Sequence, residues 1–242
     1  MKFIIILLFV LYTSIAPAAH DIEISSEYSE CSPGSNFFVG EEVELGKNIS
    51  IIGGPLYILG KSRIGNNCIL YPFSVIQDCI LEDGVTVHPH SVLNESTFKS
   101  KSKIGPFAYV SEGSVIGEEA VIGSFVQVKR SKIGARTKAQ HITYLGDTET
   151  GEGVNIGGGT ITCNYNGISK NKTIIEDNTF IGSNSTLVAP VTIGVGAYTA
   201  AGSTITENVP ADSLAIARSK QTNKPGYASK VLAKFRALKD QK

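Results

Sequence analysis

His141 offers the first chemistry to read in this 242-residue chain, in the segment Lys138-Ala-Gln-His141-Ile-Thr-Tyr144. A neutral imidazole accepts a proton near neutral pH, which is what an amine needs to lose as it attacks a thioester. A lone histidine in a strand-rich chain is also commonly structural, so spacing by itself leaves both readings open. His88-Pro-His90 supplies two more imidazoles. A three-histidine zinc site needs its ligands to converge, and the separation of His88 and His90 from His141 along the chain does not match one. No metal is expected. Cys31, Cys68, Cys79 and Cys163 lack any C-x-x-C spacing and are too few for a disulfide framework. A Cys68–Cys79 bridge and free buried thiols both remain open.

The elements that must position these residues announce themselves by a period of six. Aliphatic residues recur as Ile104-Gly105, Val110, Ile116-Gly117, Ile122-Gly123 and Val128, and again as Ile175, Ile181-Gly182, Leu187 and Ile193-Gly194. Earlier runs are Val39-Gly40, Leu45-Gly46, Ile51 and Ile64-Gly65, Leu70, Ile76. A small or β-branched residue four places on is also regular, as in Ala120, Val126, Ser185 and Val191. Six matches neither a helix nor a half-buried strand of period two. It fits a short strand plus a tight corner, three of which make one coil of a triangular prism. Each aliphatic residue points inward and stacks on its equivalent in the next coil; stacking, not any single coil, creates the core. The phase breaks around 94–103, 134–144 and 158–173 are expected to be loops leaving the prism, where function tends to sit.

Composition agrees. There are 25 glycines, one methionine and no tryptophan, and the 22 basic residues balance 22 acidic ones. Such a mixture favours many short strands and tight turns, and zero net charge gives no global field toward nucleic acid or acidic membrane.

The repeat resembles the hexapeptide-repeat acyltransferase superfamily, whose fold is all-β, a left-handed parallel β-helix. Within 123–218 the likeness narrows. Gly123-Ser-Phe-Val-Gln-Val-Lys129, Lys138 to Asp147, Val154-Asn155-Ile-Gly157 through Gly167, Phe180-Ile-Gly-Ser183, Ala200-Ala-Gly202 and Leu214-Ala-Ile-Ala-Arg218 stand in order. This is similar to the acetyltransferase domain of the bacterial bifunctional glucosamine-1-phosphate acetyltransferase / N-acetylglucosamine-1-phosphate uridyltransferase family. The resemblance implies acetyl-CoA-dependent N-acetylation of an amino sugar, with glucosamine-1-phosphate as acceptor, in a homotrimer, and no uridyl transfer. It makes His141 the general base, assigns Lys129, Tyr144, Asn155 and Lys170 to the sugar phosphate, and assigns Gly158, Asn164, Tyr165, Ser183, Ala201 and Arg218 to acetyl-CoA. A lysine ammonium suits phosphate as a point charge, and backbone donors near Gly158 suit an oxyanion. A γ-class carbonic anhydrase shares the prism, but the histidine spacing departs from it. One departure within the resembled family is Ser111, which stands where that family has a phosphate-binding arginine; a second family arginine reads Tyr109. Losing such a charge-assisted contact costs about 1.5–3 kcal/mol, so the acceptor's phosphate stays in question. A different amino sugar, or a non-catalytic binding protein, are the competing readings.

The ends read differently. Lys2, an uncharged run from Phe3 to Leu11 and Ala16-Pro17-Ala18-Ala19 have the three parts of a secretory signal peptide over 1–19. Export is therefore expected, with no membrane contact in the mature form. Residues 20–38 are read as a linker or cap, 39–209 as the β-helix and 210–242 as a tail, in which Ala228 to Asp240 form a short basic helix that closes the last coil as a solvated cap.

Overall fold

A computed structural model describes residues 22–24 and 37–240. The chain is a left-handed parallel β-helix of short strands with one C-terminal helix, Tyr227–Lys239. All strand-to-strand register pairs are parallel and successive coils are offset by a near-constant interval. Ile64 pairs with Leu81, seventeen positions on, and Ile104 with Ile122, eighteen on. The inward column of each face is aliphatic and buried, as in Leu93, Val110, Val128 and Leu145. The second inward position, seen in Ala120, Val126, Ser185 and Val191, is buried as well. Where it is polar it satisfies itself on the corner backbone: Ser185 Oγ donates to the Gly182 carbonyl at 2.6 Å.

The corners are left-handed turns, and many of them are not glycine. Phe73, His90, Phe107 and Phe125 have φ of 60°, 59°, 56° and 57°, in consecutive coils of one corner. The glycine that follows each aliphatic residue serves a different need, close approach of the next coil. A Cβ on Gly117 would lie 2.6 Å from the Ala135 nitrogen, well inside contact distance.

Two of the three expected loops are corrected. Residues 94–103 stay on the prism: Thr97–Phe98 is a strand, and Phe98 is fully buried between Leu81 and Ile116. Residues 138–146 form one unbroken strand, Lys138–Gly146. Here a coil has seventeen residues instead of eighteen, and the lost residue shifts the phase without any excursion. Only the third region departs. Thr148 pairs with Thr173, twenty-five positions on, so the chain inserts a true loop after Cys163.

Cys68 and Cys79 are free and buried, which settles the open question against a bridge. Burial pushes both thiols up to about 11, so they remain protonated and inert near neutrality. Cys31 and the apolar run of 1–19 lie outside the described residues. The basic helix has no buried residue, so it does not close the last coil as expected. Among the described residues no helix is long and apolar enough to cross a membrane.

Candidate active site

Strand Lys138–Gly146 turns a corner of the prism at His141 and Ile142, and pairs over seven residues with Val121–Lys129, which turns the same corner. Gly123 allows the approach: a Cβ there would sit 2.2 Å from the Gln140 carbonyl oxygen. His141 is exposed and registers against Ser124. Thr143 Oγ1 donates to the His141 carbonyl at 2.7 Å, fixing the backbone. Among the described residues nothing hydrogen-bonds the imidazole of this exposed residue. Ile142 carries φ of 37°, a left-handed conformation that a β-branched residue adopts only under strain. The strain marks the residue beside His141.

Below His141 the same corner is built by Gly158, Ser183 and Ala201. Gly158 is directly beneath: a Cβ on it would meet His141 Cβ at 3.1 Å. Gly159 donates to the Ile142 carbonyl, Asn184 to that of Gly158, and Gly202 to that of Ser183, at 2.8–2.9 Å. These bonds lock the corner while the amide N–H groups of Gly158, Ser183 and Ala201 keep no acceptor among the described residues. Three free donors therefore descend from His141, one per coil, at the roughly 4.8 Å spacing of neighbouring strands.

On the face that follows the corner, Tyr144 is half-buried and leans over Gly146. A Cβ at Gly146 would lie 2.3 Å from Tyr144 Oη and 2.7 Å from Asn164 Nδ2, so only glycine gives both side chains their places. At the far end of this face, beside Gly146, stands an ionic ladder. Lys129 Nζ meets Glu112 Oε1 at 2.5 Å, and Arg130 bonds the other oxygen of Glu112. Arg130 also grips Asp147 with two donors, at 2.8 and 3.0 Å, and Asn164 Nδ2 donates to Asp147 Oδ2. Lys129 and Arg130, and to a lesser degree Asn164 through Asp147, hold the two carboxyls below their ordinary range; the leading causes are the Lys129 bond for Glu112 and the Arg130 bond for Asp147.

The inserted loop carries Tyr165 and Lys170, which pair as an antiparallel bridge. Tyr165 Oη donates to the Gly167 carbonyl at 2.6 Å, and Lys170 Nζ lies 5.6 Å from the centre of the Tyr165 ring.

The chain thus brings together His141, Tyr144, Gly158, Ser183 and Ala201 around one corner, with Lys129 and Asn164 at the end of the adjoining face. One expected residue stands apart: Asn155 lies on the preceding face, in register with Lys138 and Phe180, beside Glu119 and Arg136. Arg218 is exposed and follows Ala217, whose carbonyl accepts from the Thr204 N–H and whose N–H donates to Ser203 Oγ, so it lies one coil below the corner of Ala201 and Gly202. His88 and His90 do not approach His141; they stack in earlier coils, on Tyr71 and between Phe73 and Phe107. Among the described residues no group of three His, Cys, Asp or Glu side chains is placed to hold a metal. Sequence reasoning assigned no role to Arg130, Asp147 or Gly146. The signal was present: Glu112, Arg130, Asp147 and Asn164 are one coil apart in turn.

Comparison with known proteins bears on the repeat and the fold. Residues 35–143 match the family model "GMPPB C-terminal domain", and 172–207 match "Hexapeptide repeat of succinyl-transferase". The bifunctional protein GlmU of Thermodesulfovibrio yellowstonii is 51% identical over 193 residues, 80% of this chain and 42% of the relative. That of Koribacter versatilis is 46% identical over 201 residues, 83% of this chain and 43% of the relative. The chain thus spans under half the length of these curated relatives. Among solved structures, LpxA from Acinetobacter baumannii superposes with a TM-score of 0.53 at 17% identity, over 76% of this chain and 70% of that one; the likeness is one of fold. The export expected from residues 1–19 is corrected: the match to the GlmU proteins gives it no support, and those residues lie outside the described ones. A short apolar run followed by small residues is a compositional signal only. By sequence over four-fifths of its length, this chain is similar to part of the bifunctional GlmU proteins, and it has a hexapeptide-repeat β-helix fold.

Proposed function

We propose that the chain transfers the acetyl group of acetyl-CoA to the 2-amino group of glucosamine-1-phosphate, giving N-acetylglucosamine-1-phosphate for UDP-N-acetylglucosamine formation. The observation that carries this reading is the exposed His141 set above three free backbone amides on one corner. The acceptor lies over Tyr144 with its amine at His141 and its phosphate toward Lys129. The amine lone pair attacks the thioester carbonyl, and the imidazole takes the proton the nitrogen loses. The Gly158 N–H is the donor nearest the oxyanion of the tetrahedral intermediate. Collapse breaks the carbon–sulfur bond, and the thiolate of CoA leaves. The amides of Ser183 and Ala201, lower on the corner, suit the amide-bearing pantetheine arm, with Tyr165, Asn164 and Arg218 as further contacts for acetyl-CoA. No metal enters these steps.

Asn155 is away from the corner in its own chain. Its place in the reaction is on a neighbouring copy, and a homotrimer with sites between prisms accommodates it, as it does Lys170 on its projecting loop.

Release of free CoA, followed with a thiol reagent in the presence of glucosamine-1-phosphate, tests the reading. Wild type turns over, and His141→Ala loses at least about a hundredfold, the usual worth of a general base, while still binding acetyl-CoA. Equal silence of the two folded proteins would overturn it.

A further inference from the structure

We infer that Glu112 is a built-in anion that takes the acceptor phosphate's place on Lys129 and Arg130, and so sets the site's preference between phosphorylated and unphosphorylated amino sugars. The inference rests on the placement of the acceptor over Tyr144 with its far end toward Lys129.

Two cations from adjacent positions converge on a single carboxylate, one on each oxygen. That is the arrangement of an anion seat, and a side chain of the same molecule fills it. The Glu112 carboxylate is 41% exposed and the Lys129 side chain 29%, so the seat opens to solvent and a ligand can reach it. The turn that presents Glu112 is left-handed at both Glu112 and Gly113, with φ of 55° and 72°, which projects the carboxylate outward. Ser111 is buried, and its Oγ has no partner, so it points inward and offers nothing to a ligand. Arg130 is committed on its other edge to Asp147. Lys129 and Arg130 are balanced by Glu112 and Asp147, two charges against two, so the cluster's remaining pull on a dianion is that of the more distant Lys170, whose charge also acts on Asp147. A phosphate entering must displace Glu112 and then lie beside its negative charge. An unphosphorylated amino sugar meets neither cost.

Glu112→Gln keeps the shape and a hydrogen-bond acceptor while removing the charge. The gain expected for a phosphate ligand is that of one charge-assisted hydrogen bond returned to it, about ten- to a hundredfold. Three measurements follow. In the first, inorganic phosphate is titrated into wild type and Glu112→Gln, monitored by 31P NMR; binding is weak in wild type and at least about tenfold tighter in the variant. In the second, kcat/KM is compared for glucosamine and glucosamine-1-phosphate; the variant gains about tenfold for the phosphorylated acceptor and stays within about twofold for glucosamine. In the third, Glu112→Asp, which retains the anion, keeps the wild-type preference. Micromolar phosphate binding by wild type itself would overturn the inference, a result that needs no variant to fold. Unchanged phosphate affinity in a folded Glu112→Gln would overturn it too. Tighter phosphate binding in a variant that acetylates neither sugar would uphold the anion seat and refute the acetyl-transfer reading, so the two fail separately.

Discussion

Gly146→Ala isolates the geometry of the acceptor platform with the smallest possible change. Gly146 is fully enclosed, between the Tyr144 ring and the Asn164 amide, and its φ is not in the left-handed range, so an alanine backbone is tolerated. The added methyl, however, falls 2.3 Å from Tyr144 Oη, and ordinary contact begins near 3.4 Å. The hydroxyl must therefore retreat by about 1.1 Å, a figure taken from those two distances. A misplacement of about 1 Å in a group that orients a reactant costs on the order of a hundredfold in rate, about 2.7 kcal/mol of transition-state stabilisation. Overpacking itself costs about 1–3 kcal/mol of stability, toward the low end here because the obstructed atom is the tip of a movable side chain. Steady-state kinetics at saturating acetyl-CoA should show kcat/KM for the acceptor down about a hundredfold with KM for acetyl-CoA within a few-fold of wild type. In the Tyr144→Ala background, where the crowded ring is gone and only the Asn164 amide stands in the way, Gly146→Ala should cost less. Full activity of folded Gly146→Ala would refute the role given to Tyr144, as would strict additivity of the two substitutions.

Other expectations concern the prism itself. Phe98→Ala should lower stability by about 3–5 kcal/mol in urea titration, because the ring is fully buried in a column of aliphatic neighbours; a loss below about 1 kcal/mol would mean residues 94–103 do leave the coil. Ion pairing lowers the folded-state pKa of Glu112, Asp147, Glu82 and Glu149, chiefly through bonds from Lys129, Arg130, Lys99 and Lys172. A depressed carboxylate contributes stability that is present above its unfolded value, near 4, and is lost as pH falls through the folded value. Thermal midpoints should thus fall steadily below about pH 4, and Arg130→Met should flatten that slope.

The prism was legible because a six-residue period has no other simple structural meaning, and because the columns that carry it, such as Leu93, Val110 and Val128, are the buried ones. Misreadings came from the same pattern. A coil one residue short looks, in sequence, like an excursion, and Ala139 in a column of larger side chains weakened the signal where His141 sits. The ionic ladder was hidden for a related reason. Its members are far apart in the chain and meet only because Arg130 and Asp147 are seventeen residues apart, the length of one coil. With that length known, Asn164, a further seventeen on, falls into place beneath them. The separation of Asn155 from Tyr144 could not be read without knowing where the corner falls between them.

The central claim is that the acetyl group moves from sulfur to an amino-sugar nitrogen. Incubating the chain with carbonyl-13C acetyl-CoA and 15N-labelled amino sugar, phosphorylated or not, tests it at the bond formed. The account predicts an amide carbonyl resonance split by one-bond coupling to 15N, dependent on His141. Acetate alone, or an ester carbonyl without coupling to nitrogen, would contradict it.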